Sequence, residues 1–181
     1  MARVGVLALQ GAFAAHVASL ERMGHESHLV RSPEDLAALD GLVLPGGEST
    51  AQLYLVRRYG LLAPLASFWA RGRPILATCA GLILAARAVT GPVQPSFGWL
   101  DVEVARNAWG RQIRSFEASS DEGALPLVFI RAPRITAVGP EVEVLARYRG
   151  EPVMVKAGRL TATTFHPELT DSTEVHRAVF G

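Results

Sequence analysis

The 181-residue sequence has a single cysteine, Cys79, no excess of charge of either sign, and no apolar run approaching the roughly 20 residues of a membrane span. Each shortage removes a class of protein. One cysteine cannot close an internal disulfide, which fits a reducing compartment. Lysine and arginine total 18 against 17 aspartates and glutamates, a formal net charge of +1, so bulk charge does not select a nucleic-acid partner. Apolar residues make up 49%, which argues against disorder. Met1-Ala2-Arg3 leads directly into a strand-like segment rather than a secretory signal, and the expected location is cytoplasmic with no membrane attachment. There is no internal repeat, low-complexity tract or Gly/Ser-rich linker, so residues 1–181 are expected to form one domain with a full hydrophobic core.

What is present is alternation. Short aliphatic runs are interleaved with longer amphipathic ones in the first half, the pattern of a parallel sheet covered by helices on both faces. Val4 to Leu9 reads as a buried strand. Phe13, Val17 and Leu20 recur at helical spacing between Ala12 and Met23, and Gly24 ends that helix before a second strand at Ser27 to Val30. Ser32-Pro33-Glu34-Asp35 reads as a helix start, and Gly41 to Leu44 as a third strand. The second half offers shorter runs, Trp99 to Val104, Leu127 to Ile130, Val142 to Ala146 and Val153 to Lys156, which read as added strands, some antiparallel.

Cys79 follows the apolar run Pro74-Ile75-Leu76-Ala77 and precedes the small residues Ala80-Gly81. A strand turning abruptly into a helix would expose its sulfur on a strained elbow and place it at a helix N-terminus, which stabilises a thiolate. A lone cysteine is as readily a small buried hydrophobe, and on its own Cys79 favours that reading. Phe165-His166-Pro167-Glu168 reverses the preference, because it follows the strand-like run Arg159 to Thr164. Residues two apart on an extended segment face the same side, so Glu168 can orient the His166 imidazole and favour its charged form. Taken singly, each favours the bland reading, His166 as a core histidine and Glu168 as a solvated carboxylate at the start of the last helix.

Pro45-Gly46-Gly47-Glu48-Ser49-Thr50 follows the third strand, where an open α/β sheet carries its ligand loops. The loop reads equally as an ordinary turn with Ser49 or Thr50 capping the next helix. Phosphate binding is disfavoured, since Gly-x-x-x-x-Gly-Lys is absent and Glu48 would repel an anion. An oxyanion hole fits better.

Together these residues carry a resemblance. Ala77-Thr78-Cys79-Ala80-Gly81 and Phe165-His166-Pro167-Glu168 resemble class I (triad) glutamine amidotransferases. Gly11 after Leu9-Gln10, the Pro45 to Thr50 loop, Arg106-Asn107 with Gly110-Arg111-Gln112, Ser115-Phe116-Glu117, Phe129 to Pro133 and His166 to Thr170 resemble one subfamily, the glutaminase subunits of pyridoxal 5'-phosphate synthase. The resemblance runs from Val4 to about Thr170. It implies a three-layer α/β sandwich with a central, mostly parallel sheet, flanking helices and added antiparallel strands. It also implies hydrolysis of L-glutamine to glutamate and ammonia, with ammonia passed to a separate synthase subunit that builds the vitamin B6 ring from a pentose phosphate and a triose phosphate. No cofactor or metal is implied for this chain.

Carried onto matching positions, Cys79 is the nucleophile, His166 the base and Glu168 its orienter, with the N–H groups of Gly47 and Ala80 as the oxyanion hole. Gly46, Gly47, Glu48, Arg106, Ile130 and Arg131 match glutamine-binding positions. Gln10 and Gly11 would gate the site, the glycine letting the peptide there reorient when the partner docks. Glu48 suits the substrate ammonium and Arg106 its carboxylate, although either arginine also reads as a surface ion pair. Ala77 stands where related amidotransferases often carry glycine, and residues 172–180 remain for a terminal helix. The alternatives are a glutaminase subunit of another amidotransferase, a thiol hydrolase with a different acyl donor, and a non-catalytic scaffold subunit.

Overall fold

A computed structural model describes residues 1–106, 115–123 and 125–181. Asn107, Gly110, Arg111 and Gln112 of the motif quoted above lie outside the described residues. In chain order the elements are β1 (Arg3–Leu7), α1 (Phe13–Arg22), β2 (Glu26–Val30), β3 (Gly41–Leu44), α2 (Ser49–Arg58), α3 (Leu62–Ala70), β4 (Ile75–Thr78) and α4 (Ala80–Ala85). Then come β5 (Ala86–Thr90), β6 (Leu100–Ala105), β7 (Phe116–Ser119), β8 (Pro126–Phe129), β9 (Arg134–Val138), β10 (Glu143–Tyr148), β11 (Glu151–Ala157), β12 (Leu160–Thr163) and α5 (Glu174–Phe180). The expected helix at Ser32 is instead one 3-10 turn, Pro33–Leu36. Its start is closed by the Asp35 carboxylate, which accepts from the N–H groups of Arg31 and Ser32.

The central sheet has seven strands in the order β10-β11-β12-β4-β3-β1-β2. Strands β2, β1, β3, β4 and β12 run parallel, and β11 and β10 are added antiparallel at one edge. The parallel strands are apolar throughout because both of their faces are covered. Alternate residues serve opposite layers. Leu42 and Leu44 of β3 and Ile75 and Ala77 of β4 pack in one cluster with Val56, Leu65 and Phe68 of α2 and α3. Val43 and Leu76 point to the other, with Leu20 of α1 and Val175 and Phe180 of α5. This is the expected three-layer sandwich. A small sheet, β5-β6-β9, adds to the first layer, and the β7-β8 hairpin packs into the second.

The topology also selects the functional edge. From β1 the chain steps to β2 on one side, then returns to β3 on the other, and an open α/β sheet carries its ligands at the carboxyl ends of the strands beside such a reversal. The next strands across are β4 and β12. Four adjacent strands therefore present Gln10-Gly11, Gly46-Gly47, Cys79 and His166 at or just beyond their carboxyl ends.

Candidate active site

Cys79 is the pivot between β4 and α4, with φ 48° and ψ −99°. A side chain rarely holds such a conformation, which costs on the order of 1–3 kcal/mol and persists only where surrounding structure fixes it. Here the Cys79 N–H donates to Thr163 O at 2.8 Å, continuing the β4–β12 ladder, and its carbonyl accepts from Ile83 N–H at 3.2 Å. The next amide, that of Ala80, begins the helix and belongs to the first-turn N–H groups that lack an acceptor within it.

His166 lies just past β12, its N–H donating to Val128 O at 2.8 Å. Its Nδ1 is 2.7 Å from Glu168 Oε1, and Cys79 is the ring's other electrostatic partner. The expected contact is therefore present, by a different route. Glu168 belongs to a 3-10 turn, Pro167–Leu169, and the segment is not extended. Proline at the first position of that turn fixes its entry and folds the carboxylate back under the imidazole, where strand alternation was expected to place it. Gly46 forms the other wall of the ring: a Cβ there would lie 2.3 Å from His166 Cε1.

The electrostatics follow from this packing. Burial works against a charged His166, but hydrogen bonds to Cys79 and Glu168 outweigh it and raise its pKa to about 10. Burial likewise opposes ionisation of Glu168, yet His16 and His166 hold it below the ordinary carboxylate range. Cys79, His166 and Glu168 are each 5% exposed. A buried sulfur, an imidazolium and a carboxylate in series can deliver a thiolate to a carbonyl carbon and a proton to the departing nitrogen.

A cavity of about 340 Å³ opens over this series, and its lining includes Gln10, Gly47, Glu48, Arg106, Ile130 and Arg131. The sequence-derived residues thus converge, with Gly46, Ala80 and Glu168 buried beside the lining and Gly11 exposed next to Gln10. Glu48, rather than Ser49 or Thr50, caps α2: its carboxylate accepts from Thr50 N–H at 3.1 Å and Ala51 N–H at 2.7 Å. Burial pulls the other way, but these bonds and Arg106 keep its pKa low. Arg106 and Glu48 also meet each other, Nη2 donating to Oε1 at 3.1 Å, so the two groups assigned to opposite ends of an amino acid form one ion pair.

Gln10 and Gly11 lie against the glycine loop. Gly11 takes φ 99°, and a Cβ on it would come within 1.9 Å of Gly46 O. Ala12 N–H donates to that same oxygen at 2.9 Å, and Gln10 Oε1 accepts from Glu48 N–H at 2.9 Å.

Sequence reasoning missed several residues here. Ile83 lines the cavity one helical turn after Cys79, a spacing that could have flagged it. Gln94, buried in the loop between β5 and β6, accepts from Ser49 and Thr50 hydroxyls and from Arg106 Nη1 at 2.9 Å. Nothing local announces it. His16 shares the buried face of α1 with Leu20 and was legible as a histidine on an apolar stripe.

A three-layer sandwich on a mostly parallel sheet, with a cysteine elbow and a histidine–glutamate pair at the ends of neighbouring strands, is an architecture shared with a solved glutamine amidotransferase. The chain belongs to the SNO glutamine amidotransferase family, whose model matches residues 6–180. It is 50% identical over 186 residues to a pyridoxal 5'-phosphate synthase subunit PdxT of Solibacter usitatus, covering 97% of this chain and 96% of that one. It is also 50% identical over 187 residues to a PdxT of Deinococcus radiodurans, covering 98% and 95%. A crystal structure described as a glutamine amidotransferase superposes with a TM-score of 0.91 at 44% identity, covering 97% of this chain and 96% of that one. Among the described residues, no helix is long and apolar enough to cross a membrane.

Proposed function

We propose that this chain hydrolyses L-glutamine to L-glutamate and ammonia as the glutaminase subunit of a pyridoxal 5'-phosphate synthase. The observation that carries the reading is the convergence of Cys79, His166 and Glu168 at one cavity, in a chain half identical over nearly its full length to proteins named PdxT. Cys79 Sγ attacks the side-chain amide carbon, and the resulting oxyanion is received by the N–H groups of Gly47 and Ala80. His166 gives its proton to the amide nitrogen, ammonia leaves, and a γ-glutamyl thioester remains. His166 then takes a proton from water, whose oxygen attacks the thioester carbon; glutamate departs and the thiolate returns. Glu168 holds the imidazole in register throughout.

Glu48 and Arg106 read the α-amino and α-carboxylate groups of glutamine, with Gly46, Ile130 and Arg131 completing the binding wall. The carboxylate of Glu48 accepts from two amides and one guanidinium, which leaves it lone-pair capacity for an ammonium. The chain works as one domain in the cytoplasm, without cofactor, nucleic acid or membrane. Ammonia passes to the synthase subunit, which docks over the mouth at Gln10-Gly11 and Gly46-Gly47. Docking reorients the peptide there and completes the oxyanion hole, a change worth about 10²- to 10³-fold in rate. The test is glutamate release from glutamine across a titration with the synthase subunit: slow release alone and a rise on titration are expected. Absence of release in the complex overturns the glutaminase reading, and full activity of the chain alone overturns the gating.

A further inference from the structure

The carboxylate of Glu168 has two oxygens, and His166 uses one. Toward the other the fold buries two more histidines, His16 on α1 and His176 on α5, both fully shielded from solvent. His16 Nε2 lies 3.4 Å from Glu168 Oε2 and 3.1 Å from Thr78 Oγ1. His16 Nδ1 lies 2.9 Å from His176 Nε2. Among the described residues, Glu168 Oε2 and His176 Nδ1 have no hydrogen-bond partner. His16 Nε2 is thus the group standing in front of an otherwise bare, buried carboxylate oxygen.

The arrangement selects one pair of tautomers. With the proton of His16 on Nδ1, a bare nitrogen would face a carboxylate oxygen, and His176 would bury an unpartnered Nδ1–H. With the proton on Nε2, His16 donates to Thr78 Oγ1 and sets the positive end of that N–H beside Glu168 Oε2. His176 then donates from Nε2 to His16 Nδ1, and what remains unpartnered is a bare nitrogen rather than an N–H. The second arrangement leaves neither ring with an orphaned N–H. Burial also keeps both rings neutral: it lowers the pKa of His16 to about 4, with Glu168 opposing and His166 adding to the shift. It lowers that of His176 to about 3, with His16 and Arg22 adding to the shift and Glu168 opposing. A neutral N–H satisfies Glu168 without cancelling the negative charge that His166 needs.

We propose that His16 is a positioning residue for the reaction, its Nε2–H keeping Glu168 ionised and aimed at His166, while His176 fixes the His16 tautomer from behind. This rests on the reading of Cys79, His166 and Glu168 as a glutaminase triad. The groups facing this carboxylate are His166 from its own loop and His16 from α1, and behind them stand His176 from α5 and Arg22 from the end of α1. Losing the His16 donor leaves a buried carboxylate oxygen uncompensated, so Glu168 takes up a proton at a higher pH.

The experiment is the pH profile of kcat and kcat/KM for glutamine hydrolysis in the complex with the synthase subunit, for wild type, His16→Leu and His16→Gln. His16→Leu is expected to lower kcat by about tenfold, to leave KM within about twofold, and to move the acid limb up by about one pH unit, equivalent to the same tenfold factor. His16→Gln, whose amide N–H reaches the same place, is expected to return the limb toward wild type. An unmoved limb in His16→Leu overturns the proposal while leaving the wild-type glutaminase intact. Equal impairment of both variants at the wild-type limb makes His16 a packing residue and also overturns it. If wild type releases no glutamate, the glutaminase reading falls first. Nitrogen-15 spectra of the wild-type histidines decide independently of any variant's folding: His16 protonated on Nε2 supports the proposal, and His16 protonated on Nδ1 overturns it.

Discussion

The two walls of the cavity are built by different means. The Cys79–His166–Glu168 wall sits at the ends of central strands, is almost sealed from solvent, and has its backbone tied by bonds that extend the sheet. The Glu48–Arg106–Arg131 wall is carried by a helix cap and loops, and the Glu48 side chain is 47% exposed. One wall is over-determined by the fold and the other open to adjustment. Bond-making groups tolerate little displacement, whereas groups that recognise a substrate must let it enter and can be tuned by what docks over them.

The largest effect separating the walls is expected from Cys79→Ala, which should reduce glutamate release by at least about 10⁴-fold and leave the melting temperature close to wild type. Cys79→Gly should be equally inactive and at least as stable, because glycine relieves the backbone at φ 48°. Measurable turnover by either purified variant would remove Cys79 from the mechanism, and a marked stability loss in the glycine variant would show that the elbow stores no strain.

Within the buried wall, His166→Asn should approach the Cys79→Ala defect, and Glu168→Gln should be milder by at least about tenfold, since a neutral acceptor can still orient an imidazole. Gly46→Ala should resemble His166→Asn although it changes no reactive group, because its methyl would occupy the space of the imidazole. Kinetics on the three variants check the order. A worse defect at Glu168 than at His166 would reverse the assigned roles, and a fully active Gly46→Ala would mean the wall is less rigid than its packing.

On the open wall, Arg106→Ala should raise KM by about 30-fold, equivalent to about 2 kcal/mol, with kcat changed far less. Glutaryl amides lacking the α-amino and α-carboxylate groups should be poor substrates. Equal turnover of such amides and glutamine would remove Glu48 and Arg106 from substrate reading, and would leave the cavity with only one functional wall.

The smallest effect concerns stability against pH. His16 and His176 have folded pKa values of about 4 and about 3, against an ordinary 6.5, so between these limits the unfolded chain binds the extra protons. Stability should therefore fall as pH drops below about 6.5, with a slope approaching about 1.4 kcal/mol per pH unit for each proton. Glu48, its pKa depressed, should lose its contribution only below the ordinary carboxylate range near 4.5. Denaturant unfolding at pH 6.5, 5.5 and 4.5 measures the slope. A flat response would mean that solvent reaches the two histidines.

Much of this architecture was legible because the central strands are covered on both faces and must be apolar in unbroken runs. Gly41 to Leu44 is an instance where the expected and observed bounds coincide. The small sheet was read less fully: β5, Ala-Arg-Ala-Val-Thr, is interrupted by Arg87, and β9, Arg-Ile-Thr-Ala-Val, has only one fully buried residue, so neither stood out from a loop. Strand β1 ends at Leu7 rather than Leu9, because the chain leaves the sheet there toward the glycine loop. For the site, short-range order was enough at the elbow, where a strand, a cysteine and two small residues are adjacent. The sequence brought His166 and Glu168 together correctly but through alternation, when a proline-led 3-10 turn does it.

By itself, then, the sequence determined what local chemistry and periodicity can encode: a parallel sheet sheathed by helices, a thiol at a strand-to-helix turn, a histidine and a carboxylate two residues apart, and a glycine loop after the third strand. Tertiary structure decided which distant groups surround them. It set Arg106 against Glu48, 58 positions away, brought Gln94 against Arg106, and placed His176 against His16 across 160 positions of chain. The physical reason is that strand and helix patterns record only whether a side chain faces the core or solvent. Which buried donor meets which buried acceptor depends on strand order and layer packing, and those arise only when the whole chain closes around its core.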